Sequence, residues 1–339
     1  MIKFERNTEL DIAMVSLIRS MVEVNAYVTS ILDYNEKILT PKKERELLDI
    51  LKKYNVPHKS LKYDLKRLTE NPYFRDIKLD SVNSDTVKYE KITIRKRTLI
   101  NMNFSQPMGK YLFHHHPIGY FEKDIDMPVL TEGDKIWMSP TISEFESMGD
   151  GIEKGHGKCL TLGLGIGVLP YLWLLKEEVA SVTVVELNKE VIDLFEKYIK
   201  PQFKTGKKLE IIHGNAFDYY NEEFLTRFDY VYVDFWESTE DGLGFYTRLM
   251  QKRIDLPHVD YWIEDSILND VKYVVAPYLY TLYEGKSIAD FISSMDSEMK
   301  DLAKKANKYF KTRNDVIRTE DELLGIIHGK KVLREILAQ

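Results

Sequence analysis

The stretch Cys159-Leu-Thr-Leu-Gly-Leu-Gly-Ile-Gly167 joins a short apolar run to three glycines spaced two residues apart. The pattern predicts a buried strand over 158–162, then a tight turn, then a helix. Glycine permits positive φ angles and lets a ligand approach the backbone closely. The free N–H groups at the start of the following helix would point at an anionic ligand group. We therefore expect Gly163, Gly165 and Gly167 to face a nucleotide-like ligand.

Four more apolar runs follow, and helical patterns separate them. They are predicted to be strands over 181–187, 209–213, 230–234 and 259–264. Strands that alternate with helices indicate an α/β fold with a parallel sheet. Ligands of such Rossmann-like sheets bind at the carboxyl ends of the strands, so the residues at those ends are the candidates for a site.

Polar residues stand at three of these strand ends. Glu186 closes the second strand, 23 residues after the first glycine of the turn, and Leu187 follows it. A carboxylate there can accept hydrogen bonds from both hydroxyls of a ribose. Asn215 and Ala216 follow the third strand, where an amide side chain and a backbone N–H can read an adenine edge. Asp234 ends the fourth strand, beside the expected reactive part of the ligand.

The glycine spacing separates two classes of nucleoside ligand. Dinucleotide enzymes use G-x-G-x-x-G, which would place a glycine at position 168. That position is Val168, and the third glycine comes one residue early. The chain also lacks a G-x-x-x-x-G-K-[ST] phosphate loop. Together with the polar strand ends, the turn favours an adenosyl sulfonium over a dinucleotide.

From about residue 150 to 270 the sequence resembles the class I S-adenosylmethionine-dependent methyltransferases. Within that superfamily, the glycine stretch and Val182-Thr-Val-Val-Glu-Leu-Asn-Lys-Glu-Val-Ile192 are most similar to the spermidine synthase branch. The resemblance implies S-adenosylmethionine, or its decarboxylated form, as the cofactor. It also implies that the glycine turn faces the methionine moiety, that Glu186 binds ribose, and that Asn215 and Ala216 lie beside adenine.

The chain departs from the familiar subfamilies at several positions. Thr161 stands where many methyltransferases carry an acid, and Ile166 stands where spermidine synthases usually have Asp. The fourth strand continues as Asp234-Phe-Trp-Glu237 instead of an Asp-Ser-Ser-Asp type sequence. We interpret Asp234, Trp236 and Glu237 as the catalytic candidates. Asp234 would orient or deprotonate an acceptor.

Three functions remain open on the sequence. The first is a methyltransferase acting on an unidentified small-molecule acceptor. The second is a spermidine synthase-like aminopropyltransferase that uses decarboxylated S-adenosylmethionine. The third is a non-catalytic, nucleoside-binding regulatory or nucleic-acid-interacting protein, for which the basic N-terminal region gives weak support: residues 1–110 carry 21 Lys and Arg against 15 Asp and Glu.

Four regions are predicted. The first two are a helical N-terminal region (1–73) and a β-rich segment (74–137). The others are the Rossmann-like methyltransferase domain (138–285) and a helical C-terminal extension (286–339). Helices over 8–33, from Pro41 and over 59–70, followed by a β-hairpin over 77–94, are consistent with a winged helix. They fit a lid or a homodimer interface equally well.

Metal binding and export are not expected. Neighbouring residues of an extended chain point to opposite sides, so His114, His115 and His116 cannot all face one metal, and no third ligand with suitable spacing accompanies His114 and His116. The single cysteine, Cys159, excludes an intramolecular disulfide and favours the cytoplasm. No signal peptide is recognised, and the longest uncharged run, 159–175, is short for a membrane span.

Overall fold

The computed structural model describes residues 1–35, 37–58, 61–79, 81–133, 135–138 and 141–339. The strands are β1 (Lys3–Phe4), β2 (Val82–Asn83), β3 (Val87–Ile94), β4 (Ile100–Asn101), β5 (Gln106–Pro107), β6 (His114–His115), β7 (Ile118–Gly119), β8 (Ile125–Glu132), β9 (Lys135–Met138), β10 (Gly157–Leu162), β11 (Val179–Glu186), β12 (Lys208–His213), β13 (Tyr230–Val233), β14 (Val259–Tyr261) and β15 (Val316–Ile317).

Helices occupy both ends of the chain and the connections of its second half. They are α1 (Thr8–Leu32), α2 (Pro41–Lys53), α3 (Lys66–Thr69), α4 (Pro72–Asp76), α5 (Ile142–Ser147), α6 (Gly149–Lys154), α7 (Val168–Leu175), α8 (Lys189–Leu194), α9 (Ala216–Tyr219), α10 (Glu222–Leu225), α11 (Thr239–Gln251), α12 (Glu264–Tyr283), α13 (Ile288–Ser293), α14 (Ser297–Lys311), α15 (Glu320–His328) and α16 (Lys330–Leu337). A π-helical turn, Phe195–Ile199, continues α8.

A five-stranded parallel sheet forms the centre, in the order β12-β11-β10-β13-β14. The chain starts at β10, moves outward through β11 and β12, and then returns to the other side of β10 through β13. The carboxyl ends of β10 and β13 therefore lie side by side where the strand order reverses, which is where open α/β sheets bind ligands. The predicted α/β, Rossmann-like sheet is confirmed.

The strands nearest the reversal are covered on both faces. All four residues of β13 are buried, as are the last four of β10. Helix α7 is apolar almost all round, and each of its residues from Val168 to Leu174 is buried. A helix of this kind can sit only inside a large core. The carboxyl ends of these strands are consequently held on a rigid base.

The N-terminal region joins the C-terminal one. Strand β1 pairs in parallel with β15. Helix α1 contributes residues such as Leu17 to the main core and others such as Tyr27 to a second cluster, formed with α2 and the loops before β4 and β8. Among the described helices, α1 meets the length and apolarity expected of a membrane-spanning helix. The predicted boundaries after 73, 137 and 285 stay predictions.

Several predicted elements differ from the structure. Helix is found over α3 and α4, in place of one helix over 59–70, of which Lys59 and Ser60 lie outside the described residues. The predicted hairpin is found only as a short pairing of β2 with β3. Most of β3 instead forms its hydrogen bonds with β8, which lies more than thirty residues later in the chain. Such long-range pairing leaves no local sequence signal.

The segment that follows the last strand of the central sheet is helical. The segment 273–282, which reads ambiguously as strand or helix, lies inside α12. Within the described residues, β14 is therefore the outer strand on that side. The predicted helical C-terminal segments correspond to α13 to α16.

Candidate functional site

A cavity of about 640 Å³ opens at the carboxyl ends of β10, β11 and β13. Most of the sequence-predicted residues line it: Gly163, Gly165, Glu186, Leu187, Asn215, Ala216, Asp234 and Trp236. The other two predicted residues, Gly167 and Glu237, do not line it. The volume suits a nucleoside-sized ligand together with a small second molecule.

The glycine turn is tightly packed against neighbouring residues. Gly163 has a φ of 110°, and a Cβ built there would lie 1.7 Å from the carbonyl oxygen of Asp234. Gly165 has a φ of 52°, and a Cβ there would lie 2.3 Å from the sulfur of Met138. Gly163 requires a residue without a side chain because backbone blocks the Cβ, whereas at Gly165 the positive φ is the stronger constraint, since the Met138 side chain can move. Gly167 instead caps α7, and the ring of Phe195 packs against it.

Glu186 connects the second strand to the glycine turn. Its carboxylate accepts hydrogen bonds from the backbone N–H of Leu164 (3.0 Å) and of Asn188 (2.8 Å). Burial raises the pKa of Glu186 above its ordinary value, although these N–H groups oppose that shift. The two backbone bonds fix the carboxylate beside the turn, and its remaining lone pairs are free for a ligand in the cavity.

The neighbouring positions offer an apolar surface and an amide. Leu187 lines the cavity with 64% of its surface exposed. Asn215 caps α9, where its Oδ1 accepts the N–H of Phe217 at 3.0 Å. Its amide nitrogen has no hydrogen bond to any described residue, so that nitrogen is available as a donor at the cavity wall.

Asp234 and Glu144 bring two carboxyl groups to the same end of the cavity. Neither side chain makes a hydrogen bond or an ion pair with any residue in the described part of the chain. Burial raises the pKa of Asp234 to about 7. Burial and the nearby Asp234 raise the pKa of Glu144 to about 8. We call Glu144 and Asp234 the carboxyl pair.

Sequence reasoning missed Glu144. The spacing from Thr141 to Glu144 suggests a capping box at the start of a helix after Ser139 and Pro140, and those two residues lie outside the described ones. In the structure the threonine hydroxyl accepts the N–H of Glu144 at 3.3 Å, but the glutamate does not bond back. Its carboxylate turns into the cavity instead, and no local sequence signal could indicate that.

Aromatic rings line the cavity that contains the carboxyl pair. Trp236 and Trp262 both line the cavity with Phe235. The indole N–H of Trp262 donates to the hydroxyl of Ser147 at 3.0 Å. Trp236 is only 4% exposed, and its indole nitrogen has no partner among the described residues. Rings at these positions exclude water and favour a cationic group.

Glu237 lies apart from this end of the cavity. Its carboxylate pairs with Lys135 of β9 at 3.2 Å, and its backbone N–H donates to Asp241 at 2.9 Å. These contacts link β9 to the start of α11. The structure therefore places Glu237 where it joins two elements at the cavity's edge.

The histidine cluster is packed away from the cavity. His114 lies edge-on to Tyr273 of α12, with ring centroids 5.7 Å apart, and burial lowers its pKa to about 4. His116 contacts the carbonyl of Met102 at 3.1 Å. Among the described residues, no group of three His, Cys, Asp or Glu side chains is arranged to hold a metal.

The carboxyl pair predicts a specific pH dependence of stability. An acid with a higher pKa in the folded chain keeps its proton after the unfolded chain has lost it, so unfolding becomes more favourable as pH rises. The window runs from the ordinary values, 3.8 for Asp234 and 4.5 for Glu144, to about 7 and about 8. We expect the Glu144→Gln melting temperature to fall less than that of the unmodified chain between about pH 5 and about pH 9.

Scanning calorimetry at several pH values measures this difference. Glu146 is the matched control, because it lies on the same helix and pairs with Arg67 outside the cavity. Glu146→Gln should keep the pH slope of the unmodified chain. An unchanged slope in Glu144→Gln would show that Glu144 ionises as freely as in water.

No protein-family profile and no curated protein matches the chain. Among solved structures it is similar to spermidine synthase from Thermotoga maritima, at 20% identity and a TM-score of 0.27, over 37% of this chain and 47% of that one. It is also similar to shikimate dehydrogenase from Mycobacterium tuberculosis, at 12% identity and a TM-score of 0.20, over 45% of this chain and 57% of that one. The chain thus spans about half the length of each, and similarities this slight do not bear on its activity.

Proposed function

We propose that the protein is a transferase that binds S-adenosylmethionine in this cavity and methylates a small acceptor. The observation that carries the proposal is the position of Glu186. Its carboxylate is tied to the glycine turn through Leu164 and faces the cavity at the end of β11. A fixed carboxylate beside a glycine turn is the arrangement that holds a ribose in Rossmann-like sheets.

The residues around Glu186 fit the rest of an adenosyl group. Leu187 would pack against the adenine face, and the free amide nitrogen of Asn215 would donate to an adenine nitrogen. The backbone at Gly163 and Gly165 leaves room for the chain that carries the sulfur. When bound, the donor supplies a carbon attached to positively charged sulfur. The acceptor's lone pair takes that carbon, and the C–S electron pair stays on the departing thioether.

Aminopropyl transfer from the decarboxylated donor is the second candidate, and the carboxyl pair supports it. Two cationic side chains line the cavity: Lys189 pairs with Asp193, and the guanidinium of Arg248 stacks 3.9 Å from the ring centre of Phe217 without an acidic partner among the described residues. Two carboxyl groups that have no cationic partner among the described residues favour an ammonium group over a carboxylate beside them. Phe235 and Trp236 stand where the spermidine synthase branch usually carries two small residues, so we rank methyl transfer above aminopropyl transfer.

Calorimetric titration with the two donors distinguishes these candidates. The full chain should bind S-adenosylmethionine about tenfold more tightly than its decarboxylated form, a difference of about 1.4 kcal/mol, because the guanidinium of Arg248 lines the cavity and can bind the donor's carboxylate. A preference for the decarboxylated form would replace methyl transfer with aminopropyl transfer. If neither donor bound, both transferase proposals would be contradicted, and the result would favour the non-catalytic interpretation.

A further inference from the structure

The acidic side chains that line the cavity differ in the hydrogen bonds that they accept from other residues. Glu186 accepts two backbone N–H groups, and Glu132 accepts the indole N–H of Trp137 at 2.8 Å and the amide of Asn188 at 3.3 Å. Within the described chain, only Glu144 and Asp234 line the cavity without such partners. A partly buried carboxylate without a donor is costly unless it is protonated or a ligand supplies the donor. The carboxyl pair is thus the part of the wall that lacks hydrogen-bond donors.

The residues around the carboxyl pair indicate which kind of ligand group would supply the missing hydrogen-bond donors. Trp236, Trp262 and Phe235 line the same cavity as the carboxyl pair. A group that carries several N–H bonds and a positive charge satisfies two carboxylates at once, and aromatic rings favour it further. A neutral hydroxyl has a single hydrogen to give and leaves one carboxylate unpaired.

We propose that Glu144 is the catalytic proton acceptor of this site, taking one proton from an acceptor ammonium that Asp234 holds. This inference rests on the proposed transferase function. In the step, an N–H bond of the ammonium breaks, the proton joins an oxygen of Glu144, and the electron pair stays on nitrogen. The neutral amine then has the lone pair that attack on the donor requires, and Glu144 ends the step as a neutral carboxylic acid.

The structure separates the two roles. Asp234 is fixed by the strand: its backbone N–H donates to Leu162 at 2.8 Å, and its carbonyl abuts Gly163. It therefore suits holding a ligand in one place. Glu144 lies in the first turn of the short helix α5, on a longer side chain that can follow a moving proton. Its raised pKa places it near the neutral range, where a general base works best.

The test is titration of the full chain, saturated with S-adenosylhomocysteine, with 1,3-diaminopropane near pH 7.5. Running it in buffers of different ionisation enthalpy gives the number of protons released. The unmodified chain should bind the diamine and release close to one proton per amine bound, because the cation ionises the carboxyl pair. Glu144→Gln should bind about tenfold more weakly and release markedly fewer protons. Glu146→Gln should behave as the unmodified chain does.

Additional ligands and variants serve as controls for this titration. 1,3-Propanediol matches the diamine in length without its charge and should not bind detectably. Equal affinity and equal proton release in Glu144→Gln and the unmodified chain would overturn the proposal, as would failure of the diamine to bind the unmodified chain. Melting temperatures establish that Glu144→Gln is folded, and Asp234→Asn should weaken the affinity while some proton release remains. If the chain binds the diamine in this way but does not bind S-adenosylhomocysteine, the transferase proposal is contradicted and the ammonium site is still supported.

Discussion

A Gly163→Ala chain is expected to lose about 4 °C or more of melting temperature. The added Cβ would lie 1.7 Å from the carbonyl oxygen of Asp234, and the φ of 110° is one that alanine rarely adopts. Neither strand can yield easily, because the N–H of Asp234 donates to Leu162 at 2.8 Å and that of Gly163 donates to Val185 at 2.9 Å. Strain and overlap of this size cost about 3 kcal/mol or more.

Gly244→Ala is the matched control. Gly244 lies exposed in α11, and a Cβ there meets no atom within 4 Å. The same substitution should therefore leave stability unchanged or raise it by up to about 1 kcal/mol, since alanine favours helix. Calorimetric melting of both variants checks the contrast. A Gly163→Ala chain as stable as the control would mean that the turn is not as tight as the structure places it.

The parallel sheet was predictable because its signals are local. Each of its strands contains a short apolar run, and the predicted ligand-facing residues stand at or just after the strand ends: Glu186 is the last residue of β11, and Asp234 follows β13. Chain order fixes which ends meet, since parallel strands joined by helices present their carboxyl ends at one edge. The turn at Gly163 was recognisable for the same reason: glycine spacing is written in the sequence itself.

The remaining features depend on contacts between distant segments. The pairing of β3 with β8 and of β1 with β15 joins residues far apart in sequence. Glu144 shows what this means for the site. It precedes Asp234 by 90 residues in the sequence, and the two line one cavity only because α5 packs against the sheet. Its sequence neighbourhood suggests a helix cap, and only the folded chain shows a cavity acid.

Glu186→Ala is expected to weaken binding of the adenosyl ligand about a hundredfold. The carboxylate would accept hydrogen bonds from two ribose hydroxyls, and bonds to a charged group contribute about 1.5 to 3 kcal/mol each. The substitution also frees the N–H groups of Leu164 and Asn188, which loosens the turn. Both effects act on affinity in the same direction, so the loss should exceed that of any other single side chain in the cavity.

Glu210→Ala provides the comparison for this variant. Glu210 lies on the adjacent strand β12, outside the cavity, and pairs with Lys208 at 2.7 Å. An exposed pair of this kind contributes little to stability, so the control should fold and bind as the unmodified chain does. The two variants remove the same side chain from neighbouring strands and differ in whether it faces the ligand.

Calorimetric titration of S-adenosylhomocysteine into the unmodified chain, Glu186→Ala and Glu210→Ala tests directly whether this cavity holds an adenosyl group. We predict one site per chain, with equal affinity in the unmodified chain and Glu210→Ala and about a hundredfold weaker binding in Glu186→Ala. Binding that survives unchanged in a folded Glu186→Ala chain, or no binding to the unmodified chain, would contradict the assignment of the cavity.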